Sequence, residues 1–274
     1  MFQDKQMKIV MRISILIFVV LLIILLVNTV RNNASKNEEN DKPTLSLTTD
    51  SNIFKIDSAL IYSSANAINN SETQEDYWNL NIYQFSDIAL SVDNHVSIDG
   101  LTQKNTIRQM YIDNISYPKL PEKGTPFLYY KDYNLLGTGV IDDEKVINGR
   151  LDFNVVTSNS SDTVEPSFYA DCSNPIILSA VNRDVVSNFV LRNTNSAITF
   201  DGNLLLDATV LLSNIEYEIS FSIHIINYLD EEYVCNLTIP IILGDDNEIN
   251  TIYDGAYQIE LTNLKENKFY KLEE

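Results

Sequence analysis

Residues 217–241 read YEISFSIHIINYLDEEYVCNLTIPI. Tyr217, Ile219, Phe221, Ile223 and Ile225 alternate with Glu218, Ser220, Ser222 and His224. Beyond LDEE, the residues Tyr233, Cys235, Leu237, Ile239 and Ile241 alternate with Asn236, Thr238 and Pro240. A period of two buries one face of a strand and leaves the other polar, so the stretch predicts an antiparallel hairpin turning at 229–232. Proline cannot donate to a ladder, so the Pro240 end of the second strand is expected at an edge or a bulge.

The same period extends outward. Trp78, Leu80 and Ile82, then Ile88, Leu90 and Val92, hold one face of a strand, and Gln84 with Ser86 interrupts the row and predicts a bulge or bend. Further strands are expected at 107–117, 127–131, 146–156, 176–181, 186–192, 198–200, 204–212, 256–264 and 269–272. No amphipathic stretch is long enough to be the crossover helix of a parallel sheet, so the fold class is all-β, an antiparallel β-sandwich. The polar run 157–166, TSNSSDTVEP, is expected to divide the region into two tandem sandwich domains, 52–156 and 167–274, or else to be a long loop within one larger sandwich.

Ahead of these lies MKIVMRISILIFVVLLIILLVNTVR, residues 7–31. Residues 9–30 are almost wholly apolar, and at ~1.5 Å per residue a helix of that length crosses a hydrocarbon core of ~30 Å. No small-residue cleavage site follows, so an uncleaved transmembrane anchor is expected. Lys5 and Lys8 precede the span and Arg12 lies near its start, which puts residues 1–8 in the cytoplasm and everything after the span outside. Residues 31–51 are polar and read as a tether. The formal net charge of −19 repels phosphate backbones, excluding nucleic acid as a partner and favouring cations or basic partners.

Candidate sites are sparse. Asp245, Asp246, Asn247 and Glu248 in GDDNEIN, and Asp142, Asp143 and Glu144, offer the oxygen ligands calcium takes, without the spacing of an EF-hand. Asp99-Gly100, Asp201-Gly202 and Asp254-Gly255 read as turns. The two histidines are His95 and His224; Ser220 and Ser222 share the face of His224, but no nucleophile-elbow motif accompanies them. Cys172 and Cys235 permit one disulfide, worth roughly 4 kcal/mol for a loop of that length, and Cys235 equally suits a buried free thiol. Tyrosines such as Tyr111, Tyr129 and Tyr130 could stack on a sugar or pack within a strand-rich core. Two carboxylates for glycoside hydrolysis cannot be picked out of 38 acidic residues.

At YSSANAINN (62–70), WNLNIYQFSDIAL (78–90) and IYDGAYQIE (252–260) the chain resembles uncharacterised, N-terminally membrane-anchored, β-rich proteins of AT-rich Gram-positive-type bacteria. The resemblance implies a cell-surface location and carries over no catalytic residue. The expected function is that of a non-enzymatic, membrane-anchored extracytoplasmic protein presenting a surface to a protein or surface polymer. A calcium-stabilised adhesion module and a carbohydrate-active hydrolase are the alternatives.

Overall fold

The computed structural model describes residues 47–70, 77–95, 100–158, 160, 164–192, 201–244 and 250–272. The expected span 9–30, most of the tether and the loop Asp245–Glu248 lie outside them. Among the described residues no helix is long and apolar enough to cross a membrane.

The strands are β1 (Leu47–Asn69), β2 (Tyr77–Asp93), β3 (Ile107–Lys119), β4 (Thr125–Tyr130), β5 (Leu151–Val156) and β6 (Ser167–Tyr169). They continue with β7 (Ile176–Arg192), β8 (Tyr217–Asn227), β9 (Glu232–Ile241), β10 (Ala256–Leu261) and β11 (Lys268–Leu272). One short helix, α1 (Asn203–Asp207), lies between β7 and β8. The strands form one curled sheet in the order β4-β7-β2-β1-β11-β9-β8-β3-β5-β6, with β10 also on β1. Every named pairing is antiparallel except β5 with β6.

The hairpin of residues 217–241 forms in the register its periodicity demands, with Ile219 opposite Ile239 and Ile223 opposite Cys235. Its turn is held by Asn227, whose Oδ1 accepts from the Leu229 and Glu231 backbone N–H groups. Pro240 lies where β9 has only β8 beside it, because β11 reaches no further than Tyr233 and Val234. The missing donor of proline therefore faces no neighbouring strand.

The inner faces converge on one core. Ile219, Phe221 and Ile223 of β8 belong to the same buried cluster as Leu80, Ile82 and Ile88 of β2 and Phe54 and Ile61 of β1. Each such side chain contributes about 1.5–3 kcal/mol when fully buried. The expected division at 157–166 is not a break in this sheet: β2 pairs with β7, and β3 with β8. Strands this long have room for partners from both halves of the sequence.

Three expectations are refined. The strands expected at 176–181 and 186–192 are one strand, β7. The one expected at 204–212 is instead α1 followed by a 3-10 turn at Leu212–Asn214. Leu204 and Leu205 are both buried, and a strand cannot turn adjacent residues to one face. Gly202 fixes that corner, since a Cβ there would lie 1.5 Å from the Ile252 carbonyl oxygen. The polar interruption in β2 gives register slips against β7 between Leu80 and Gln84. Gln84 and Ser86 nevertheless stay inside, where the Ser86 hydroxyl meets Gln84 Nε2 at 2.7 Å and Ser63 Oγ at 2.6 Å.

The outer face of β2, β7 and β4 carries a second, small core of Phe85, Tyr129 and Val181, packed by Ile141 and Val146 from the segment that follows β4. Beside it the Lys131 ammonium sits 2.8 Å from both oxygens of Asp87, each side chain only 5% exposed. The Gly137 N–H donates to the same carboxylate. The pair therefore clamps the 131–150 segment onto the sheet.

Two outcomes follow from these arrangements. Lys131→Met leaves a buried, unpaired carboxylate and should lower unfolding free energy by about 3–5 kcal/mol, while the Asp87→Leu/Lys131→Met double variant should lose less than the single; urea midpoints measure both. In the hairpin turn, hydrogen bonds from Lys271 and then Asn227 draw the Glu231 carboxyl from 4.5 down to about 2. A depressed folded value means this stabilisation is complete above 4.5 and fades as the pH falls towards 2. The stability difference between the native chain and Glu231→Gln should accordingly shrink across that window in acid titrations followed by circular dichroism.

Candidate functional site

The curl brings the two ends of the strand order together. Tyr130 at the end of β4 and Ile177 near the start of β7 belong to one end, and Phe153 of β5 with Ser167 and Tyr169 of β6 to the other. These five residues line one pocket of about 390 Å³. A pocket at this seam needs no dedicated cavity in the core, because two sheet edges approach without pairing along their length.

Four aromatic rings, Tyr130, Tyr133, Phe153 and Tyr169, form much of its wall. Tyr130 points inward because Leu128 and Tyr130 alternate with Tyr129, which faces the small outer core. Tyr133 opens the 131–150 segment that the Lys131–Asp87 pair clamps down, and it is 61% exposed at the rim. Tyr169 is set by Asn174, whose Oδ1 accepts from the Tyr169 backbone N–H at 2.5 Å while its Nδ2 donates to the Ser167 carbonyl at 3.4 Å.

Glu165 supplies the pocket's carboxylate. The Tyr130 hydroxyl donates to Glu165 Oε2 and also lies 3.0 Å from Asp132 Oδ1. Burial first, then these two carboxylates, pushes the Tyr130 phenol well above its usual range, so it remains an O–H donor at neutral pH. Asp132 faces elsewhere, into a small adjoining cleft where Lys145 Nζ approaches Asp132 Oδ2 at 2.5 Å. That contact draws the Asp132 carboxyl down. Only one of the two carboxylates therefore faces the pocket, whereas hydrolysis by a carboxylate pair requires both at one glycosidic bond.

A second polar constellation occupies the outer face of β3, β8 and β9. His224 Nδ1 lies 2.9 Å from Glu232 Oε1 and Nε2 lies 3.1 Å from Asp113 Oδ1. The Tyr111 ring stacks on the imidazole with centroids 4.3 Å apart and planes 8° apart, and its hydroxyl donates to the same Glu232 oxygen at 2.6 Å. The Arg150 guanidinium lies 3.5 Å from the Tyr111 ring centroid. His224 is thus on the polar face its strand predicts, but it is buried beneath an aromatic and cationic stack. Ser222 hydrogen-bonds to Asn236 and Asn114, and Ser220 to Thr238, so neither serine addresses the histidine. With each ring nitrogen facing a carboxylate, the constellation is a cross-strand lock between β3, β8 and β9.

The remaining candidates are dispersed. Asp142 caps a 3-10 turn by accepting from the Glu144 N–H, and Asp143 pairs with Arg183. Asp254 completes a capping box with Thr251, and Gly255 follows at φ 116°, a conformation that favours glycine. Asp201 accepts from the Asn203 N–H at the start of α1. His95 is held near Asp93 at the surface. Cys172 and Cys235 are both free thiols, and three strands separate β9 from β6 and its following turn in the sheet order. Burial pushes the Cys235 thiol up to about 12. Among the described residues no group of three His, Cys, Asp or Glu is placed to hold a metal ion.

Sequence reading named Tyr130 as an aromatic but did not single out Tyr133, Phe153, Glu165, Tyr169 or Asn174. Of these, Phe153 fell within the expected strand 146–156 and Glu165 within the polar run 157–166. Comparison with protein-family models, curated proteins and solved structures finds no match, so the functional reading stands on this geometry.

If the His224 constellation is a structural lock, His224→Ala should destabilise the fold by about 1–3 kcal/mol through loss of its two cross-strand hydrogen bonds and the Tyr111 stack, and His95→Ala by less than ~0.5 kcal/mol. Chemical denaturation of the two variants checks this contrast.

Proposed function

We propose that the chain is a membrane-anchored, extracytoplasmic binding protein whose curled β fold displays the seam pocket to a ligand. The pocket carries the reading: aromatic walls, a few convergent polar groups and a volume of about 390 Å³ are the ordinary features of a ligand site. Its polar groups are set for holding a ligand, since the Tyr130 hydroxyl is committed to carboxylates and Asn174 to the β6 backbone. The histidine with the most chemical potential is enclosed in the β3–β8–β9 lock. A non-enzymatic role fits these commitments best.

Residues 9–30 supply the anchor in this reading, with residues 1–8 cytoplasmic and 31–51 as tether. The scaffold is sandwich-like, with the inner faces of the curled sheet packed on one another through their shared core. Tandem packing of 52–156 and 167–274 is retained only as a pseudo-division within that scaffold. The acidic surface suits a basic or cationic partner and disfavours nucleic acid.

Protease added to intact cells should digest the folded region while a cytoplasmic marker survives, and the undigested chain should stay in the membrane pellet after alkaline carbonate. Recovery in the soluble fraction, or protection in intact cells, would contradict the anchor. For the pocket, small ligands that raise the Tm of the detergent-solubilised full chain should fail to do so in Tyr133→Ala, whose exposed side chain can be removed without emptying the core.

A further inference from the structure

The seam pocket combines two features whose joint chemistry is selective. Its wall brings Tyr130, Tyr133, Phe153 and Tyr169 together, and none of its lining residues is basic. Aromatic faces carry negative quadrupole potential, which attracts cations and does nothing for anions. Glu165 adds a full negative charge, and among the described residues its one hydrogen bond comes from a neutral phenol, with no ammonium or guanidinium at ion-pair distance. Glu165 is solvent-exposed, so its attraction for a counter-charge is screened and amounts to a modest addition to the aromatic contacts.

Lys145 illustrates the preference and does not fill the pocket. Its ammonium lies 5.5 Å from the Tyr130 ring centroid, reaching it from the adjoining cleft, and is neutralised by Asp132. The net charge of the chain, −19, further raises the local concentration of cations at its surface. A compact ion such as potassium keeps its water and gains little from aromatic walls. A positive charge wrapped in methyl or methylene groups gains from both the rings and the carboxylate.

We propose that the seam pocket binds a small organic cation through an alkylated ammonium group, with Tyr133, Phe153 and Tyr169 around the charge and Glu165 as its counter-ion. This deepens the binding reading above and rests on it. Glu165 and Tyr133 are exposed, so both can be changed without opening the core. Glu165→Gln also retains an acceptor for the Tyr130 hydroxyl.

The test titrates the detergent-solubilised full chain at near-physiological salt with choline, tetramethylammonium and the neutral choline isostere 3,3-dimethylbutan-1-ol, using calorimetry. Choline should bind about tenfold or more tightly than the neutral isostere. Glu165→Gln should weaken choline roughly five- to tenfold and leave the isostere unchanged, while Tyr133→Ala weakens both. Equal binding of choline and isostere, both lost in Tyr133→Ala, overturns the cation inference and keeps the pocket as a ligand site. Choline binding that ignores both substitutions overturns it too, because the cation then sits elsewhere on the acidic surface. If no charged or neutral probe binds, the inference and the pocket reading fail together.

Discussion

The arrangement of the pocket depends on a charge pair almost wholly removed from solvent, each side chain 5% exposed. Asp87 lies on the outer face of a central strand, where a carboxylate covered by protein is tolerable only with a partner. Lys131 comes from the residue immediately after β4 and meets both carboxylate oxygens at 2.8 Å. Two charges removed from solvent lose several kcal/mol each in hydration, and their attraction offsets this only when the geometry is good. The pair therefore contributes position more than stability. It fixes where the chain goes after Tyr130, brings Gly137 onto the same carboxylate, and so places Tyr133 at the rim of the seam.

The seam itself is a consequence of sheet curvature. A long twisted sheet either exposes its edges or bends until they approach. Here β4 and β6 end the strand order, and both are short, of six and three residues. Short edges give little template for pairing with another chain, and residues 131–150 cover the outer face beside β4. What is left between the ends is a gap lined by whichever side chains reach it, four of them aromatic. A single carboxylate among them, held by a phenol too buried to ionise, gives the gap its sign.

The two polar constellations have opposite roles because of their surroundings. His224 lies between strands already paired in register, so its two carboxylate contacts and the Tyr111 stack reinforce that pairing. Glu165 lies just before β6, beside a cavity, and among the described residues one donor, the Tyr130 hydroxyl, is attached to it. From sequence His224 shares a strand face with Ser220 and Ser222 but lacks a nucleophile-elbow motif, and reads as a surface histidine. Cross-strand neighbours, which lie more than a hundred residues away for Asp113, determine that it is a lock.

The strand content was legible because it is local. Period-two alternation in Tyr217–Ile241 and in Trp78–Val92 reports which face of a strand is buried, and Pro240 reports a missing neighbour; both statements need no knowledge of the partner. The failures came where local signal is ambiguous. Leu204–Leu212 is apolar enough for a strand, yet adjacent buried leucines and the close approach of Gly202 to Ile252 make it a short helix and a turn. The pocket was not legible at all, since Tyr130, Phe153, Glu165 and Tyr169 share no motif and meet only when the sheet curls. By itself the sequence determined the all-β class, the turn positions and the acidic character, for these follow from backbone sterics and composition. The tertiary structure alone decided which strands are neighbours, where the two ends of the sheet come together and which carboxylate faces the gap, because periodicity specifies that a face is covered and leaves open what covers it.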